Sequence, residues 1–363
     1  MARLAERILK SAALRLVALW RHNRVAFSVP VDLNQMSRVL IFRPEKIGDM
    51  VLALPLVDAL KRANPALRVD ALVSEQGGPV LAGDPRFERV HLYRRGAGSD
   101  LAQAFRLHRG KYDMIVDLIG SDSYTGAMTV LLISNPGTLK VSVGKNKLSA
   151  YYDQNFPIYP DRHMKESTMQ PLELFGVTWT NEDLLAPPYR SPEALKAAAT
   201  FVRSLKLPTG KKPIGINMSA GVRNRQWSKE NVAALLALLV REMPDEKFVV
   251  IAGPEDYATG KRLAEAAGPE VAIIPEGMTL GAVCAIIGEL GLLVGPDTSL
   301  PHIARSLRVP VVGLYLPFNE DFKRWGPLMQ EHGMLIARND SAIDEITPEM
   351  VLAEIRVVMT GAR

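Results

Sequence analysis

A single cysteine in 363 residues, Cys284, leaves no partner for a disulfide and excludes a cysteine-built metal site. It fits a reducing compartment. The six histidines, at positions 22, 91, 108, 163, 302 and 332, are scattered and form no His-x-x-x-His pair. No Asp-x-Asp occurs, so the sequence shows no carboxylate pair for a divalent metal. It also lacks G-x-G-x-x-G and G-x-x-x-x-G-K-[ST], which disfavours a nicotinamide oxidoreductase and a P-loop ATPase.

What is present is ordinary for a soluble globular protein: 47% apolar and 23% charged residues, in a length comfortable for two domains. The net charge of +5 is unevenly placed. Residues 1–30 hold six bases (Arg3, Arg7, Lys10, Arg15, Arg21, Arg24) and one acid, Glu6. They account for the whole excess, so the body of the chain is neutral and offers no argument for a nucleic-acid groove. At about 100° per residue, Ile8, Leu9, Ala12, Leu16, Leu19 and Trp20 share one helical face, with most of the bases opposite. Such a helix reads as lying in the surface of an anionic membrane, and is too short and charged to span one. The competing reading is a helix docked on the core or a frayed terminus.

From Ser37 apolar runs alternate with helical patterns. Strands are predicted at Arg38–Arg43, Arg68–Ser74, Arg89–Tyr93, Tyr112–Leu118 and Leu139–Val143. Helices are predicted at Asp49–Ala63, Gly77–Ala82, Asp100–His108 and Asp122–Ile133. Pro157–Pro192 shows no clear period, and the interdomain connection is placed near its end. Strands then follow at Pro213–Ser219, Lys247–Ala252, Val271–Ile274, Gly291–Val294 and Val309–Tyr315. Helices follow at Ser228–Glu242, Glu255–Ala267, Thr279–Gly288 and Ser299–Ser306, with a last one at Ile343–Met359. This is an α/β pattern of two doubly wound halves, with ligands expected in a cleft at the strands' carboxyl ends. The expected organisation is a basic helix over 1–30, domains over 37–180 and 190–335, and a C-terminal helix over 341–363.

The loop-to-helix junctions carry the chemistry. Gly295-Pro-Asp297-Thr298-Ser299-Leu300-Pro-His302-Ile-Ala304 offers a carboxylate, two hydroxyls and free amides at a helix N-terminus, which suits a phosphate. Lys46-Ile-Gly48-Asp49 puts a carboxylate at the start of a helix, as a general base or merely a cap. Arg43 and Lys46 stand beside it as ligand or surface cations. Ser219-Ala-Gly221-Val-Arg223-Asn-Arg225-Gln-Trp227 reads as a pyrophosphate clamp or an exposed basic loop. Gly253-Pro-Glu255-Asp256 could hold ribose hydroxyls, although capping is the simpler account. His302 has no evident orienting partner, so Asp49 ranks above it as the base.

In this order the segments resemble glycosyltransferase family 9, the bacterial heptosyltransferases of lipopolysaccharide core assembly. The resemblance runs from about Ser37 to Pro327, and Gly295–Ala304 is its most specific part. It implies a GT-B fold of two Rossmann-like domains, the acceptor mainly on the first and the nucleotide-sugar on the second. It implies inverting, metal-independent transfer without a cofactor, typically of heptose from ADP-heptose to a lipid-linked saccharide at the cytoplasmic face of the inner membrane. In that family Asp49 corresponds to the base, and Ser219 and Arg225 to diphosphate contacts. Glu255, or Asp256, would meet the ribose. Asp297, Thr298, Ser299, Leu300 and His302 would line phosphate and sugar, with Arg43 and Lys46 left for the acceptor. Three departures, Arg225 for lysine, Ser299 for glycine and Pro301 before the histidine, bear on the identity of the sugar. The alternatives are transfer from another nucleotide-sugar, a non-catalytic nucleotide-sugar binder, and a sugar epimerase on the same architecture.

Overall fold

The computed structural model describes residues 2–21, 24–94, 97–317, 322–339 and 343–361, with the side chains of 2–5, 97–101 and 322–323 left aside. Arg3 of the basic segment therefore lies outside the described side chains. The chain divides into two compact units, Met1–Leu184 and Leu185–Arg363.

The first unit holds strands β1 (Arg38–Arg43), β2 (Arg68–Val73), β3 (Arg89–Leu92), β4 (Met114–Asp117), β5 (Leu139–Val143) and β6 (Gln154–Phe156). All pair in parallel, in the order β3-β2-β1-β4-β5-β6. Helices α1 (Ala2–Arg21), α2 (Ile47–Ala63), α3 (Ala97–His108), α4 (Tyr124–Ile133) and α5 (Met164–Met169) surround the sheet. Val39 to Phe42 of β1 are fully buried, as a continuous apolar run must be when helices cover both faces.

The second unit repeats the plan with β7 (Ile214–Asn217), β8 (Phe248–Ile251), β9 (Val271–Ile273), β10 (Leu292–Pro296), β11 (Val311–Tyr315) and β12 (Met334–Ile336), in the order β12-β11-β10-β7-β8-β9. Its helices are α6 (Pro192–Ser204), α7 (Lys229–Glu242), α8 (Tyr257–Ala267), α9 (Leu280–Gly288), α10 (Ser299–Ser306), α11 (Phe322–Trp325) and α12 (Pro348–Gly361). The last of these seals the core with α7, burying Val351, Leu352, Ile355 and Val358.

Each sheet starts at its centre and grows outward in both directions. The order therefore reverses between β1 and β4, and again between β7 and β10. At such a point the crossover helices leave to opposite faces, and the carboxyl ends of the two strands border a crevice. Gly295 is required there: a Cβ on it would stand 2.7 Å from the Asn217 Cβ and 2.9 Å from its backbone oxygen.

Several elements differ from the sequence reading. Gly77–Ala82 is only a 3-10 turn over Gly78–Leu81, because the Pro-containing segment is too short for a regular helix. β6 and β12 are three-residue edge strands without a readable period, and α6 starts with Pro192 at its first position behind the cap Ser191. The final helix starts at Pro348, since Ile343–Glu345 forms a separate 3-10 turn.

Candidate active site

In the first unit the crevice is lined by charge. Arg43, the last residue of β1, is only 1% exposed. Its guanidinium meets Glu45 Oε2 at 2.9 Å and Asp49 Oδ1 at 3.0 Å. The other Asp49 oxygen accepts the Lys46 N–H at 3.0 Å, so Asp49 caps α2 while it faces the guanidinium. The base and cap readings of Asp49 are thus compatible. A carboxylate has about four lone-pair directions, and these contacts occupy two. Asp49 is half-buried and fixed in orientation, with acceptor capacity to spare.

Arg43 was expected at the acceptor, and its burial corrects that expectation: a guanidinium committed to two carboxylates is not presented to a sugar. Lys46 is the exposed cation of the pair. Behind them lies a second cluster. Asp117, at the end of β4, accepts hydrogen bonds from the Tyr152 hydroxyl and the Ile119 N–H, and meets Lys145 Nζ at 3.1 Å. Lys145 also donates to the Ile119 and Ser121 carbonyls at 2.6 and 3.1 Å. Burial pushes the Glu45 carboxyl above its usual range; Arg43 and Lys145 oppose this, while the Asp49 and Asp117 charges add to it. Glu45, Asp117, Lys145 and Tyr152 escaped the sequence reading. The available signal was a charge closing an apolar strand, as in Met-Ile-Val-Asp117.

In the second unit Asn217, at the end of β7, organises the crevice. Its side chain donates to the Ser219 carbonyl at 3.1 Å and Thr298 Oγ1 at 3.4 Å, and accepts the Ser219 N–H at 3.2 Å. Ser219 Oγ accepts from the Gly253 N–H at 2.8 Å, joining the loops after β7 and β8. Arg225 Nη1 lies 2.7 Å from Asp297 Oδ2, so the two phosphate candidates pair beside the start of α10. Trp227 packs into the core, donating its indole N–H to the Ile346 carbonyl at 2.9 Å.

The amides of α10 are fewer than a helix N-terminus normally offers. Thr298 is the cap and its Oγ1 takes the Leu300 N–H at 3.3 Å. Pro301 has no N–H, which leaves the Thr298 and Ser299 amides as the remaining donors of the usual four. Ser299, Leu300 and His302 are half-buried on the first turns of α10. Asp256 occupies the cap position of α8 without a side-chain capping bond and accepts from Gln226 Nε2 at 3.0 Å instead. The capping account of that loop is therefore not what its side chains do. Glu255, beside it, is exposed.

Two Rossmann-like sheets with polar groups gathered at each reversal define an α/β protein of the GT-B class. The profile of Glycosyltransferase family 9 (heptosyltransferase) matches residues 101–350. The chain belongs to that family and is a glycosyltransferase. Asp49 precedes the matched residues. Lipopolysaccharide heptosyltransferase 3 of Escherichia coli is 23% identical over 283 residues, covering 74% of this chain and 80% of its own. A glycosyl transferase family 9 structure from Veillonella parvula superimposes with a TM-score of 0.75 at 19% identity, covering 92% of this chain and all of the other. The solved structure of an E. coli heptosyltransferase with ADP-2-deoxy-2-fluoro heptose gives a TM-score of 0.66 at 20% identity, covering 88% of this chain and 99% of the other.

Proposed function

We propose that the enzyme transfers heptose from ADP-heptose to a saccharide of the lipopolysaccharide core or a related lipid-linked acceptor. The relatives' names and the nucleotide-sugar analogue in one similar structure support donor and acceptor class. The observation that carries the chemistry is Asp49, a carboxylate held on both oxygens at the sheet's reversal, where an acceptor hydroxyl can reach its remaining lone pairs.

Asp49 takes the proton of that hydroxyl as its oxygen attacks the anomeric carbon from the face opposite the nucleotide, which inverts the centre. Arg43 is the positioning residue that holds the base, and Lys46 the exposed cation for the acceptor. On the donor side Arg225, Ser219 and the Ser299 amide meet the charge that develops on the departing diphosphate, in place of a metal ion. Asp297 keeps Arg225 at the start of α10; Thr298, Leu300 and His302 line the sugar side, and Glu255 meets the ribose. The reaction is placed in the cytoplasm, with peripheral contact to an anionic inner membrane.

Asp49→Asn keeps the shape and removes the base. ADP release from ADP-heptose in the presence of acceptor should fall by about a hundredfold or more, with donor affinity by calorimetry unchanged. Wild-type turnover in that variant would end the assignment. Transfer that persists in EDTA, with the new linkage of inverted configuration by NMR, is the companion result.

A further inference from the structure

We infer that α1 is a bilayer-docking surface, held on the first unit by one narrow face so that its broad apolar stripe on the other side meets anionic lipid. The naming of a lipid occupant rests on the lipid-linked acceptor of the proposed function; the geometry of the helix is independent of it.

A helix that belongs to a protein core turns its apolar stripe inward. In α1 only a narrow strip does so, and the larger apolar stripe faces outward. Leu14 is buried and Val17 and Ala18 are half-buried against the core that includes α4, while Arg21 reaches to 3.4 Å from His108 Nε2. Outward lie Ile8, Leu9, Leu16, Leu19 and Trp20, 62–89% exposed, the five most exposed large apolar side chains among the described residues. With Ala12 they cover an arc of about 120° at 100° per residue. Single exposed apolar residues are ordinary, but a continuous stripe of them marks a contact surface.

Charge selects the occupant. Arg7, Lys10, Arg15 and Arg24 are exposed, and Glu6, which pairs with Lys10 at 2.6 Å, is the sole acid in this segment. A second copy of the chain laid on α1 would set these bases against each other. A bilayer with anionic headgroups supplies both the apolar layer and the opposite charge.

The attachment fixes how the stripe runs. Glu6, Arg7 and Lys10 sit beside Ser123, Tyr124 and Thr125 at the start of α4. Arg21 reaches His108, whose other ring nitrogen lies 3.1 Å from the carbonyl of Ile133, the last residue of α4. The two helices therefore run side by side in one direction. Beyond α1, Val25 N–H donates to Asp153 at 3.0 Å, and Asp153 is ion-paired with the buried Lys140 at 2.7 Å. From Ile8 to Trp20 the stripe is about 20 Å long, and it begins at the carboxyl end of the sheet, where Asp49 stands. Lipid lying along α1 would bring its headgroups to that end of the unit.

The test uses the full chain and a double variant, Leu16→Glu with Leu19→Glu, which leaves Leu14 and the catalytic groups untouched. Wild type should cosediment with phosphatidylcholine vesicles containing phosphatidylglycerol, and less with phosphatidylcholine alone or at high salt. The variant should bind about tenfold more weakly or worse, with unchanged hydrogen-exchange protection of α4 and unchanged turnover on a short-chain, water-soluble acceptor. Undiminished vesicle binding by the variant, no binding by wild type, or a wild-type dimer that the variant dissolves would each overturn the docking surface. If vesicle binding follows the expected pattern while wild type transfers no sugar to any acceptor, the transfer reading fails and the docking surface stands.

Discussion

Built on the same strand order, the first unit buries Arg43, Asp70, Asp84, Asp117, Lys140, Lys145 and Lys165, whereas the second buries no charged side chain among the described residues, only Asn217 and Ser306 of its polar groups. Removing a charge from water costs several kcal/mol unless partners replace the solvent, and the proposed reaction offers a reason for the asymmetry. A base that works on a neutral hydroxyl brings no charge to fix it. It needs a permanent counter-charge, and Arg43, backed by Glu45 and the Asp117–Lys145 pair, supplies one. In the proposed reaction the diphosphate brings its own charge, so the unit proposed to receive it can keep its ionic groups within reach of solvent. Arg225 and Asp297 have side-chain exposures of 30% and 15%.

The strongest way to break this comparison is Lys145→Met. It strips the cation from a fully buried Asp117 and should cost about 3–5 kcal/mol. Peptide-resolved hydrogen exchange should show the loss in β4 and β5 and not in β7, β8 or β10. Pairing it with Asp117→Asn should restore part of the stability. Equal loss of protection in both units would mean that the buried charges do not set the first unit apart.

Arg225→Ala tests the other side. A hydrogen bond to a charged group is worth about 1.5–3 kcal/mol, so donor affinity should fall about ten- to a hundredfold, with little change in melting temperature. Arg225→Lys should recover part of the affinity, since a point charge replaces a planar fork. Unchanged binding by calorimetry would remove the clamp, and a large fall in stability would show the donor side to be as structural as the base side.

Both units were legible as alternating strands and helices because β1, β8 and β10 are apolar runs bounded by turns. β6 and β12 were not, since three residues at a sheet edge are too few for periodicity to speak. Asp49 could be read because its role is local: Gly48 before it and a helix behind it. The Asp117–Lys145 contact could not, because β4 and β5 become neighbours only through a crossover, and no spacing in the chain records that pairing. Arg225 and Asp297 were both visible as motif members, and their ion pair was hidden for the same reason. The amide count of α10 was legible in principle: Pro301 removes an N–H on sight, and Thr298 is a strong cap that takes another.

The smallest expected effect concerns acid. Burial would raise the Asp70 carboxyl, but hydrogen bonds from His91 and Tyr112 and the charge of Arg38 outweigh it and hold it below the usual range. A depressed carboxylate stabilises the fold above its unfolded value, about 3.9, and loses that contribution as pH falls through its folded value. Asp122, which accepts from the Asn146, Lys147 and Leu148 amides, is depressed too and lies in the same unit. In the second unit the depressed carboxyls, Glu193, Glu242 and Glu349, are at the surface, where water and salt screen them. Cys284 reports on that unit, since burial within α9 shields its thiol and pushes its pKa up to about 12. Below about pH 4, exchange at β2 should quicken while Cys284 still reacts slowly with dithiodipyridine, a reagent that works in acid. Asp70→Asn should flatten the response of β2 alone. If Cys284 becomes reactive at the pH where β2 opens, the units unfold as one, and their different interiors would then matter for chemistry without dividing their stability.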